Sequence, residues 1–156
     1  MFYKQHLYIS ITSYKYQKMV AEVILNWWAI LVATIASFIL GALWYGPVFG
    51  KYWMKLMNFD KNSTKKMKLT GTQAMGIGFV ITIISVYILA HFVDYLEVTS
   101  IAGAAQLAFW LWLGIQVPVI IGSFLWEGRS FKLFLFNGAY RLIDIILITS
   151  ILALWA

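Results

Sequence analysis

The stretch LFLFNGAYRLIDIILITSILALWA, residues 133–156, decides how this chain is read. It is apolar over a length sufficient to cross a bilayer, which takes about 20 residues for a core of about 30 Å. Yet it carries Asn137, Arg141 and Asp144. Arg141 lies nine positions beyond Lys132, roughly 13 Å deep at about 1.5 Å per residue. Placing a charge there costs about 2.5–3.5 kcal/mol on insertion scales. At about 100° per residue, Asn137, Tyr140, Arg141 and Asp144 fall on an arc of about 100°. Asn137 and Arg141 are four apart and Arg141 and Asp144 three apart, so their side chains are expected to meet. This polar face is expected to point away from lipid, toward Gly114, Gln116 and Pro118 of the preceding apolar stretch.

Three further uncharged runs precede it, at 23–50, 69–93 and 98–126. Hydrophobic residues make up 62% of the 156 and charged ones 12%, too few charges to cover a soluble protein of this size. Backbone amides in lipid have to be satisfied locally, and the alternation of a β-barrel strand is absent, so the spans are read as helices. The predicted fold is all-α: a polytopic membrane protein with four transmembrane helices at about 23–46, 70–93, 100–126 and 132–155, within one domain over 19–156.

Twelve Lys and Arg against six Asp and Glu give a formal charge of +6. In a soluble domain this would suggest nucleic acid; here the positives follow topology, and no nucleic-acid partner is expected. The first connection holds Lys51, Lys55, Lys61, Lys65, Lys66 and Lys68 against Asp60, the second only Asp94 and Glu97, and the third Glu127, Arg129 and Lys132. By the positive-inside rule the first and third connections are cytoplasmic, the second is external, and both chain ends lie outside a cell membrane. With no cysteine and only His6 and His91, no disulfide, metal site or cofactor is expected.

Residues 1–18 contain aromatics and three lysines but no apolar core of signal-peptide length. They read either as an interfacial tail or as sequence upstream of a start at Met19.

Along the first span Ala29, Ala33, Ser37 and Gly41 recur every fourth residue, extended by Glu22 and Asn26. Small residues at that spacing let helix backbones approach closely. Packing within one subunit is the preferred reading, with a dimer face second. The span ends in Trp44-Tyr45-Gly46-Pro47-Val48-Phe49-Gly50-Lys51. Pro47 lacks an amide hydrogen and disfavours helix at Gly46, so the helix is expected to end or kink there. Residues 51–59 are expected to lie along the membrane surface. A comparable string, Trp126-Glu127-Gly128-Arg129-Ser130-Phe131-Lys132, follows the third span. Both read Trp-x-Gly-x-x-Phe and then Lys; a duplicated helical hairpin would explain the echo, and independent selection at interfaces would as well. The turn residues singled out are Trp44, Gly46, Pro47, Lys51, Trp126, Glu127, Gly128 and Arg129.

Residues 26–29 (NWWA) and 41–53, together with Glu127-Gly128-Arg129, Leu133-Phe134 and Asn137-Gly138-Ala139-Tyr140, resemble the bacterial family known as domain of unknown function 1761. The resemblance covers residues 26–156 and is most specific at Trp-Tyr-Gly-Pro-x-Phe-Gly-Lys. Residues 1–25 fall outside it, which favours a start at Met19. It implies a small integral membrane protein and brings no activity with it.

No nucleophile–base constellation accompanies these residues, so no catalytic residue is named and an enzyme is not expected. The preferred function is an oligomeric carrier or channel using the Asn137, Arg141 and Asp144 face. Four spans leave little room for a pathway in one chain, hence the expected homo-oligomer in the lipid bilayer. The alternative is a structural, accessory or lipid-interacting membrane protein. Neither the solute nor a protein partner is legible.

Overall fold

The computed structural model describes residues 25–59, 63 and 68–155. The N-terminal tail, the alternative start at Met19, Glu22 and most of the lysine loop lie outside the described residues. Four helices are long and apolar enough to cross a membrane: Trp27–Val48, Gly71–Tyr95, Ile101–Leu125 and Phe131–Leu154. They are the four expected spans, with ends displaced by a few residues, and no strand occurs among the described residues. Such an array is consistent with a multi-pass membrane protein.

The displaced ends have local causes. Asn26 accepts hydrogen bonds from the backbone N–H groups of Trp28 and Ala29 through its side chain, so the first span starts at Trp27 rather than 23. Thr70 and Gln73 form a reciprocal capping box ahead of the second span. Ser100 and Ser130 cap the third and fourth through Gly103 N–H and Leu133 N–H. None of these caps is charged, and each supplies an acceptor for amides that helix geometry leaves open.

Both prolines of the chain mark breaks in helical regularity. The segment Trp44–Val48 is a π-type turn containing Pro47, with Gly46 at φ −106° and ψ −110°. The helix kinks at Gly46, and a short helix, Gly50–Leu56, follows. The third span widens into a second π-type turn over Trp112–Gln116, immediately before Pro118 in the segment Val117–Leu125. A missing amide hydrogen and a bulky ring favour such local rewinding over a straight α-helix. The two echoing strings differ in backbone: one continues through a kink into helix, the other turns at Gly128 with φ +66°.

The fourth span is the hub, packed against each of the other three. Its stripe Asn137, Tyr140 and Asp144 runs along the small-residue stripe of the first span, antiparallel. Every step of about four residues on one matches a step back on the other, pairing Ser37 with Asp144, Gly41 with Tyr140 and Tyr45 with Asn137. A Cβ on Gly41 would stand 2.8 Å from the Tyr140 hydroxyl, so a glycine is needed for this approach. The small stripe is therefore used inside the chain.

Burial is uneven along the bundle. The core is formed by Ala29, Ile30, Ala33, Val86, Ala90, Val93, Ala104, Ile148, Leu152 and Ala153, all toward the end bearing the second connection. Thr149 Oγ1, buried at that end, lies 2.8 Å from the carbonyl of Ile145 in its own helix and 3.1 Å from that of Ala104 in the third span, so its one proton serves both acceptors. Toward the lysine-rich end, residues 71–77 of the second span are all exposed, and Val117–Leu125 of the third contributes no buried residue. Burial is thus densest at the end bearing the second connection, while at the lysine-rich end aromatic contacts join the first, third and fourth spans.

Candidate functional site

The polar face of the fourth span divides in two. Asp144 is buried, and its Oδ1 accepts a hydrogen bond of 2.6 Å from Ser37 Oγ, near the middle of both helices. Asn137 Oδ1 accepts from the Tyr45 hydroxyl at 3.1 Å. Tyr140 is buried against Gly41 and packs on Tyr45 and Trp44, with ring centroids 4.9 and 5.9 Å away. The facing partners come from the first span. Gly114, Gln116 and Pro118 of the third do not supply them; that helix instead sends Trp112, whose Nε1 donates to the carbonyl of Gly138 at 2.8 Å.

Arg141 departs from expectation. Among the described residues no hydrogen bond or ion pair joins it to Asp144 or Asn137; its guanidinium lies over the Tyr140 ring, 5.6 Å from the centroid. The reason is geometric. Helical side chains lean toward the N-terminus of their helix, which suits the Arg141 guanidinium to the Tyr140 ring, while the Asp144 carboxylate is engaged by Ser37. Three residues on, Asp144 is rotated by about 60° toward the first span, where Ser37 holds it.

Arg141 is nevertheless on the inner side of its helix. Residues seven apart share a helix face to within about 20°. That column holds Phe134, half-buried, Arg141, exposed, and Ile148, buried. The outward face is the opposite one, with Leu135, Ala139 and Ile143 exposed. Arg141 is exposed although it lies on that inner column.

Aromatic side chains crowd the first span and the short helix toward the lysine-rich end. Trp44 packs on Phe49 and Phe136 at 4.7 and 5.6 Å, and Tyr45 on Trp53 and Phe136 at 5.6 and 5.9 Å. Trp44 Nε1 is enclosed with no hydrogen-bond acceptor among the described residues. Gly46 and Pro47 form the kink itself and stand exposed, as does Lys51 in the first turn of the short helix.

At the lysine-rich end the short helix faces the third connection; of the turn residues singled out in the sequence, Glu127, Gly128 and Arg129 line the space between them and Trp44, Gly46, Pro47 and Lys51 do not. A cavity of about 480 Å³ separates the short helix, at Tyr52 and Lys55, from Glu127, Gly128, Arg129 and Lys132. Trp126 does not line it and is 87% exposed. Among the described residues no group of three metal-ligating side chains converges.

Sequence reasoning missed Ser37, Tyr45 and Trp112. Ser37 was visible as a member of the small stripe, and the only signal for its role was that the stripe and the polar face share a four-residue step. Trp112 had no such signal, because its reach depends on the rewound turn.

No curated protein and no solved structure matches the chain. Residues 28–153 match the family described as Protein of unknown function (DUF1761), and the chain belongs to that family.

Proposed function

We propose that the chain is a small carrier or channel for an anionic solute, working as a homo-oligomer in the cell membrane. The observation that carries this reading is Arg141, a permanent cation exposed on the fourth span, on the same helix column as the half-buried Phe134 and the buried Ile148. Intramembrane charges face a bundle interior or a watered cavity, and an uncovered guanidinium there is a ready anion partner. Asp144, one turn deeper and held by Ser37, is the titratable group beyond it. With the lysine-rich end cytoplasmic, water and solute are proposed to reach Arg141 from the inner side. The third span, the least covered of the four, is the face proposed to meet a second copy.

The test is flux into proteoliposomes under imposed gradients of chloride, nitrate or inorganic phosphate, with a trapped pH dye as a second readout. At least one anion is expected to move faster than through empty liposomes. Arg141→Gln should cut that flux about ten-fold or more, as loss of a charge-assisted contact does. Flux at the empty-liposome level, or flux indifferent to Arg141, overturns the reading.

A non-catalytic accessory or lipid-interacting role is the second reading. The cavity at the lysine-rich end favours it, because that feature needs no pathway through the bundle.

A further inference from the structure

The cavity between the short helix and the third connection has a distinct charge pattern. Lys55 approaches from one wall and Arg129 and Lys132 from the other, opposed by the single carboxylate of Glu127. Its volume, about 480 Å³, is within the range of small-molecule sites. Both walls are built on defined turns. Asn58, at φ +53°, ends the short-helix side, and Gly128, at φ +66°, sets the other. The latter is pinned by Arg129 N–H donating to the Ser123 carbonyl at 3.1 Å. Ser130 lines the cavity and caps the fourth span, so the amides of a helix N-terminus adjoin three cationic side chains. Tyr52 on the wall and Trp126 beside it are of the type that settles at headgroup depth.

We infer that this cavity binds a phosphate-bearing anion: the headgroup of an acidic phospholipid, or a free phosphate ester of the same chemistry. An arginine offers a planar fork to phosphate oxygens and lysines offer point charges, so the three side chains suit a phosphodiester or phosphomonoester better than a carboxylate. The inference is independent of anion transport and of Arg141.

The experiment uses the purified full chain. Native mass spectrometry from detergent compares retention of phosphatidylglycerol and phosphatidylcholine at equal concentrations, and calorimetry titrates glycerol 3-phosphate in parallel. The parent should favour phosphatidylglycerol by about ten-fold or more, and Arg129→Gln/Lys132→Gln should remove that preference. Lys68→Gln, outside the cavity, should leave it intact. Glu127→Gln should tighten binding by about two- to five-fold, an effect that misfolding cannot imitate. Selective lipid retention without glycerol 3-phosphate binding assigns the site to a lipid headgroup. Binding of glycerol 3-phosphate that the double variant abolishes assigns it to a soluble ester. The inference fails if neither probe is preferred by the parent, or if Lys68→Gln lowers retention as much as the double variant.

Discussion

Through the buried hydrogen bond from Ser37 to Asp144 the first span meets a charge-bearing residue of the fourth. A buried carboxyl stripped of its donor keeps its desolvation cost, about 1–3 kcal/mol for a typical buried polar group. Ser37→Ala should therefore lower stability in detergent by that order. In an Asp144→Leu background the same substitution should cost little, because no acceptor is left behind. The double-mutant cycle, read by thermal or denaturant unfolding, should give a coupling of about 0.5–3 kcal/mol. Additive single effects would mean that the bond contributes nothing specific. Arg141 is different in kind. Its guanidinium lies over the Tyr140 ring, so Arg141→Gln should lower stability in unfolding by only about 0.5–1 kcal/mol while affecting anion flux strongly.

At the scale of elements, the antiparallel fit of the first and fourth spans depends on Gly41. Gly41→Leu would force its side chain into the Tyr140 hydroxyl and push the helices apart, at a cost of about 1–3 kcal/mol as for other overpacked sites. Trp112→Phe removes the bond to the Gly138 carbonyl and part of the indole packing while keeping an aromatic ring, and should cost at least about 0.5–1.5 kcal/mol. Unfolding in detergent reads both. The helices were legible in the sequence because apolar length and charge exclusion are local properties. Pro47 likewise announced the kink at Gly46. The bonding of the polar face was not legible. Arg141 and Asp144 are three apart on one helix, which permits a pair, but side-chain lean and Ser37 on another helix decided against it. The π-type turn before Pro118 was equally hidden, since a proline specifies a missing donor and not how the chain rewinds around it.

Across the whole molecule the decisive property is asymmetry. Small residues, Val86, Ala90, Val93 and the Thr149 bond draw all four helices together at one end. Toward the lysine-rich end the first and fourth spans are joined by aromatic contacts, Trp44 and Tyr45 on Phe136, while the first half of the second is uncovered. Arg141 lies between these two regions, and the transport reading depends on water reaching it from the lysine-rich end only. The absence of native cysteine makes this directly measurable. The most direct test is the reaction of Arg141→Cys and Ile148→Cys, seven residues apart on one helix face, with a membrane-impermeant thiol reagent applied to either side of sealed vesicles. The account predicts that Arg141→Cys is labelled from the lysine-rich side alone and Ile148→Cys from neither. Protection of Arg141→Cys from both sides, or equal labelling of the two positions, would contradict it.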